Sequence, residues 1–304
     1  MVRHALPRWL LFSGLLLLAA GCDAQPEGGF TIEKAQEQLP KKTRRMRIGV
    51  VLPMYSHPFF VAQKKGIEKK AEELDVLVEV RDGQDNDRTQ IAQVEALLNI
   101  GVDALVLCPR DEEALVPAVA SANRARVPVV ALNRRVKGGR LVCYVGADDV
   151  EGGQAQGQAL VEALGPQGGN ILYLQGTQGS SPQRQRAEGF RKVLAEHPEI
   201  TIADERFADF QEDKAKAVMT NLVRRFRPGK IQAIVAQSDE MALPASEVCR
   251  AEGWKDVIVI GFDGTRAAFD AIKAGTLHAT VLQSAARQGA EALEVTVESL
   301  KGKY

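Results

Sequence analysis

Asn133, Arg134, Asp263 and Gln283 carry planar, forked hydrogen-bonding groups, and each stands at or just beyond the end of a short apolar run. Arg184 adds a second guanidinium, Ser238 a hydroxyl and His57 an imidazole. A set of this kind suits a neutral polyol, because each sugar hydroxyl both donates and accepts and a rigid fork satisfies two groups at once. Phe59, Phe60 and Phe210 supply aromatic faces for the C–H side of a ring. Taken singly, each residue has a plainer reading. Phe59 and Phe60 open a helix, and one of them can serve the core. Arg134 and Arg184 can be surface ion-pair partners worth about 0–1 kcal/mol. Asp263 can make an Asx turn or cap the following helix. Shared placement at strand ends shifts the balance toward a binding site.

Catalysis finds little support. The sequence holds no G-x-x-x-x-G-K-[ST] loop, no G-x-G-x-x-G after its first strand, no G-x-S-x-G and no H-E-x-x-H. Its histidines, at positions 4, 57, 197 and 278, are too scattered to suggest a metal cluster, and no C-x-x-C pair occurs. No cofactor is expected. With 39 Lys+Arg against 39 Asp+Glu in 304 residues, the formal charge is zero, which removes the electrostatic footprint of a nucleic-acid binder.

The first 22 residues stand apart from the fold. Arg3 and Arg8 precede an apolar run from Leu10 to Ala20, which at about 1.5 Å per residue covers only half of a bilayer core of roughly 30 Å. This is the pattern of a signal peptide. Ala19-Ala20-Gly21-Cys22 resembles a bacterial lipobox, with Cys22 as the lipidated residue, although Ala19 stands where Leu, Val or Ile is usual. Residues 23–45 read as a polar tether of roughly 25 Å root-mean-square span.

From Met46 onward, short apolar runs alternate with amphipathic stretches of helical length. Strands are expected at Arg47–Leu52, Leu77–Val80, Ala104–Leu107, Val129–Leu132 and Leu141–Val145. A second set is expected at Asn170–Leu174, Thr201–Ala203, Ala233–Ala236, Val257–Gly261 and Ala279–Leu282. Strands apolar on both faces and separated by helices predict an α/β fold with parallel sheets. Ten such strands divide into two halves, with the break near Gly146–Asp149.

Several separated segments carry a resemblance in the right order: His57-Pro58-Phe59-Phe60, Gln175-Gly176 followed by Arg184 to Phe190, Ala236 to Ala242, and Gly261-Phe262-Asp263-Gly264-Thr265. From about Met46 to Lys303 the chain resembles the periplasmic ribose-binding proteins. These belong to the sugar-binding family related to the ligand-binding core of lactose-repressor-type regulators. The resemblance implies the type I periplasmic binding protein fold, two Rossmann-like lobes joined by a hinge and closing on one sugar. The first lobe would comprise 46–146 plus 284–304 and the second 147–283. It implies a monomer that delivers its sugar to an ABC-transporter permease, located in the periplasm or at the cell surface on a lipid anchor. The alternative is a sensory protein that presents its closed form to a chemoreceptor or sensor kinase.

Carried over by position, the ligand-binding residues would be His57, Phe59, Phe60, Asn133, Arg134, Arg184, Phe210, Ser238, Asp263 and Gln283. Three depart from the ribose pattern: Asn133 replaces Asp, Ser238 replaces Asn, and His57 replaces Asn. Counting Arg134 and Arg184 against Asp263 leaves the pocket at a formal +1. That imbalance favours another pentose or hexose, or a sugar carrying a carboxylate, over ribose. Relatives continue past the last helix and add a further strand to the second lobe. Its absence here predicts an exposed edge and looser closure. Cys108, Cys143 and Cys249 are expected to be free thiols, a Cys108–Cys143 disulfide being the alternative.

Overall fold

A computed structural model describes residues 44–303. The signal peptide, Cys22 and nearly all of the tether lie outside the described residues.

The first sheet has five parallel strands in the order β2-β1-β3-β4-β5. These are β1 (Arg47–Leu52), β2 (Leu77–Asp82), β3 (Ala104–Leu107), β4 (Val129–Leu132) and β5 (Tyr144–Val145). Period-two alternation sorts their side chains onto two faces. Ile48, Val50, Leu52, Ala104 and Val106 share one core with α1 (Pro58–Leu74) and α9 (Ala285–Leu300). Val51, Leu105 and Leu107 share the opposite core with α2 (Asp87–Asn99) and α3 (Val116–Arg124).

The second sheet repeats the plan in the order β10-β9-β8-β6-β7. Its strands are β6 (Gly169–Gln175), β7 (Ile200–Phe207), β8 (Ala233–Ala236), β9 (Ile258–Asp263) and β10 (Ala279–Leu282). Ile171, Tyr173, Ala233, Val235 and Ile260 pack under α4 (Asp149–Leu164) and α5 (Ser181–Leu194). Leu172, Leu174, Ile234 and Ala236 pack under α6 (Glu212–Arg225) and α7 (Asp239–Ala251), and Ala268 of α8 (Arg266–Lys273) joins the same core. The chain passes from the first sheet to the second between β5 and α4, and returns after β10 when α9 packs against α1.

Five expected strands differ in extent: β2 runs on to Asp82, β6 gains a residue at each end, β9 is Ile258–Asp263 rather than Val257–Gly261, and β5 and β7 also differ. Only Tyr144–Val145 of the expected Leu141–Val145 forms regular ladder. Just upstream, the Asn123 side chain ties down Arg140, accepting from its N–H at 2.7 Å and donating to its carbonyl at 3.0 Å, so the chain is held to α3 rather than to the sheet. The expected Thr201–Ala203 extends to Ile200–Phe207. It is an edge strand whose second half carries charges: Asp204 pairs with Arg206 and Arg225, and Glu205 with Arg191. The three described cysteines are free.

Candidate functional site

In each sheet the connections leave the carboxyl ends of neighbouring strands in opposite directions, which opens a crevice there. The crevices face one another across a cleft of about 270 Å³, lined by His57, Phe59, Phe60, Asn133, Arg134, Pro182, Arg186, Phe210, Asp263 and Gln283. Eight of the ten residues singled out in the sequence line it. Arg184 and Ser238 do not.

Local structure aims these side chains. His57 is the N-cap of α1: its Nδ1 accepts from the Phe59 N–H at 3.1 Å, which leaves the ring proton on Nε2. Pro58 at the first helical position then fixes the turn that brings Phe59 and Phe60 to the cleft, their rings edge to face at 5.7 Å. Both phenylalanines also belong to the first-lobe core, so neither is purely a wall of the cleft. Across the gap, Gly176 leaves room for the Phe210 ring, which a Cβ at that position would strike. Asn133, Phe210 and Asp263 have φ values of 61°, 59° and 111°. A non-glycine residue in this region costs on the order of 1–3 kcal/mol, and such strain concentrates at functional sites.

Arg134 is buried, and its guanidinium lies 5.2 Å from the Phe60 ring centroid and 5.5 Å from that of Phe210. Nη1 donates to the Arg110 carbonyl at 3.1 Å, while Nε has no hydrogen-bond partner among the described residues. Arg186 is held differently: its Nε donates to Asp149 at 2.8 Å and its Nη1 to the Gln237 carbonyl at 2.6 Å. Asp263 lies 3.8 Å from Arg186 Nη1 and accepts from Gln283 Nε2 at 2.6 Å. Burial pushes the Asp263 carboxyl well above the usual carboxylate range, with the Arg186 charge opposing.

A run of amides links the two lobes behind the cleft. Gln63 and Asn133 both donate to Gln288 Oε1, at 3.3 and 3.2 Å. Gln288 donates to Gln283 at 3.0 Å, and Gln283 donates to Asp263. With Asp263 accepting from Gln283 Nε2, the orientation of the Gln283 and Gln288 amides in the run follows.

A periplasmic binding protein domain matches residues 48–304. The ribose import binding protein of Salmonella typhimurium is 37% identical over 256 residues, covering 84% of this chain and 85% of that protein. The ribose import binding protein of Bacillus subtilis is 35% identical over 288 residues, covering 95% and 91%. Among solved structures, the Caulobacter myo-inositol binding protein with bound myo-inositol superposes with a TM-score of 0.82 at 33% identity, covering 88% of this chain and 91% of that one. The chain belongs to the periplasmic binding protein family. Its fold is that of the type I periplasmic binding proteins, and the family is one of solute binders rather than enzymes.

Arg184 corrects the sequence reading. It lies on the outer face of α5, half exposed, and binds Glu112 through Nε and Nη2 at 3.1 and 3.0 Å. Arg186, two residues on, is the guanidinium that enters the cleft. Helical phase contained the signal: Pro182, Arg186 and Gly189 form a buried stripe, whereas Arg184, Glu188 and Lys192 form a charged, exposed one. Ser238 is buried at the N-cap of α7, and its Oγ has no hydrogen-bond partner among the described residues. The formal +1 also falls away. Asp149, at the interlobe break, is buried against Arg186, so by formal count two cations face two anions, although Asp149 and Asp263 both lie at Arg186 rather than at Arg134. Gln288 was detectable as the one amide within the stripe Ala285, Gly289, Ala292, Leu293, Thr296 and Val297.

Proposed function

We propose that this protein captures one neutral monosaccharide or cyclic polyol between lobe 46–146 plus 284–304 and lobe 147–283, and delivers it to an ABC-type permease. The observation that carries the reading is Arg134, a buried guanidinium between two aromatic faces with a donor left over, opposite Asp263 and Asn133. Sugar hydroxyls satisfy such donors and acceptors without adding charge. A sugar carboxylate would enter beside Asp263, in a site whose two formal cations are already matched by two formal anions. Ribose is therefore a candidate beside other pentoses, hexoses and inositol. The ribose import binding proteins and the myo-inositol binding protein among its relatives support the same class of ligand. Family membership supports an extracytoplasmic location. Ala19-Ala20-Gly21-Cys22 supports a lipid anchor at Cys22, and a cleft formed within one chain supports a monomer.

A thermal-shift panel of neutral pentoses, hexoses, inositol and sugar acids tests the reading. A ligand at 100 times its Kd adds about 2.7 kcal/mol to the folded state. Neutral sugars should raise the melting temperature by a few degrees and sugar acids should not. A shift confined to acids would overturn the assignment.

A further inference from the structure

We propose that Arg184 and Glu112 form a closure latch, a charged contact outside the cleft that holds the two lobes together and so sets how long a sugar stays bound. Glu112 follows β3 in the first lobe and Arg184 lies on α5 in the second. Their bond is bidentate, the geometry in which guanidinium and carboxylate pair most strongly. Glu112 is buried, whereas Arg184 is half exposed.

The latch lies within a patch where the backbones also meet. The Glu112 N–H donates to the Gly179 carbonyl at 3.2 Å, and the Arg135 N–H donates to Ser181 Oγ at 2.8 Å. Gly179 has a φ of 87°, and a Cβ there would collide with the Asp111 carboxylate of the facing lobe, so glycine permits both the turn and the close approach. Every one of these contacts crosses from one lobe to the other, and hinge opening would break them together. A contact made only in the closed form shifts the open–closed balance by its own differential energy, whatever the cleft holds. Lys137, in the same lobe as Glu112 and 3.3 Å from it, keeps that carboxylate paired when the lobes part. The latch can therefore release without stranding a buried charge.

Amide hydrogen exchange in the purified protein, without ligand, tests the proposal independently of which sugar binds. The amide of Arg135 reports closure without touching Arg184, and amides of β1 and β6 report global stability. In Arg184→Gln the Arg135 amide should exchange about two- to fivefold faster, the upper part of the range for a well-oriented but half-exposed pair, with β1 and β6 unchanged. Reversing the pair, Glu112→Arg with Arg184→Glu, should recover part of the protection that either reversal alone removes. Equal exchange at Arg135 in wild type and Arg184→Gln, whether fast or slow, would overturn the latch. So would loss of protection in β1 and β6 alongside Arg135, which would make Arg184 a residue of general stability.

Discussion

His57 and Glu240 come from opposite lobes, with Nε2 and Oε2 3.8 Å apart. Burial, followed by the Arg134 charge, holds His57 down at about 4, and burial pushes Glu240 up to about 7. At neutral pH the imidazole is uncharged and the contact is no ion pair. The two groups act on stability with opposite signs. The unfolded chain's histidine takes a proton near 6.5 that the folded one refuses, so stability is lost as pH falls from about 6.5 to 4. The folded Glu240 keeps a proton that the unfolded one has released. Its contribution is full below about 4.5 and disappears as pH rises through 7. Glu240→Gln removes only the second effect. Urea unfolding should show it gaining on wild type by on the order of 2 kcal/mol between pH 5 and pH 8. A pH-independent difference would contradict this. The two cleft arginines should also separate. Arg186→Gln strands the buried Asp149 and should cost about 3–5 kcal/mol. Arg134 has no carboxylate partner among the described residues to strand, so Arg134→Gln should change stability by only about 1 kcal/mol. Equal losses in urea unfolding would show that Asp149 is not the reason.

At the scale of elements, each lobe sets one helix pair flush against the other at a glycine. A Cβ at Gly66 of α1 would strike the Ala286 carbonyl of α9, and one at Gly153 of α4 would strike the Arg186 carbonyl of α5. Gly153→Ala must push α5 outward, and α5 carries Arg186 and Pro182 into the cleft. Overpacking of this kind costs about 1–3 kcal/mol. Thermal melting should show that loss, and neutral-sugar affinity should fall with it. A neutral Gly153→Ala would mean that the helices yield. The sequence made the buried strands legible because Ala104–Leu107 and Ala233–Ala236 are apolar on both faces. It hid the second half of β7, where Asp204 and Arg206 act as edge residues, and it hid Asn123, whose hold on Arg140 shortens β5. The site was legible where strand ends mark it, at Asn133, Arg134 and Asp263. It was less direct where a helix supplies the side chain. There Arg184 and Arg186 lie about 200° apart around α5, and placement at a strand end says nothing of which one turns inward; only the stripe of Pro182, Arg186 and Gly189 does.

At the scale of the whole molecule, two sheets of like design face each other across ten cleft residues. Function is the balance between closing on a sugar and opening again. Contacts around the cleft, including Gln211 to Asp85 at 2.9 Å, favour the closed form, while the strained backbone at Asn133, Phe210 and Asp263 presents the polar groups that a sugar must satisfy. In the function proposed above, Arg134 holds a neutral sugar in the cleft. Isothermal titration of the neutral sugars into wild type and Arg134→Gln tests it most directly. Wild type should bind one of them at one site per chain, and Arg134→Gln should weaken that binding by about 100-fold, the loss of a charge-assisted donor in a desolvated site. Unchanged affinity in Arg134→Gln, or equally tight binding of the corresponding sugar acid, would contradict the account.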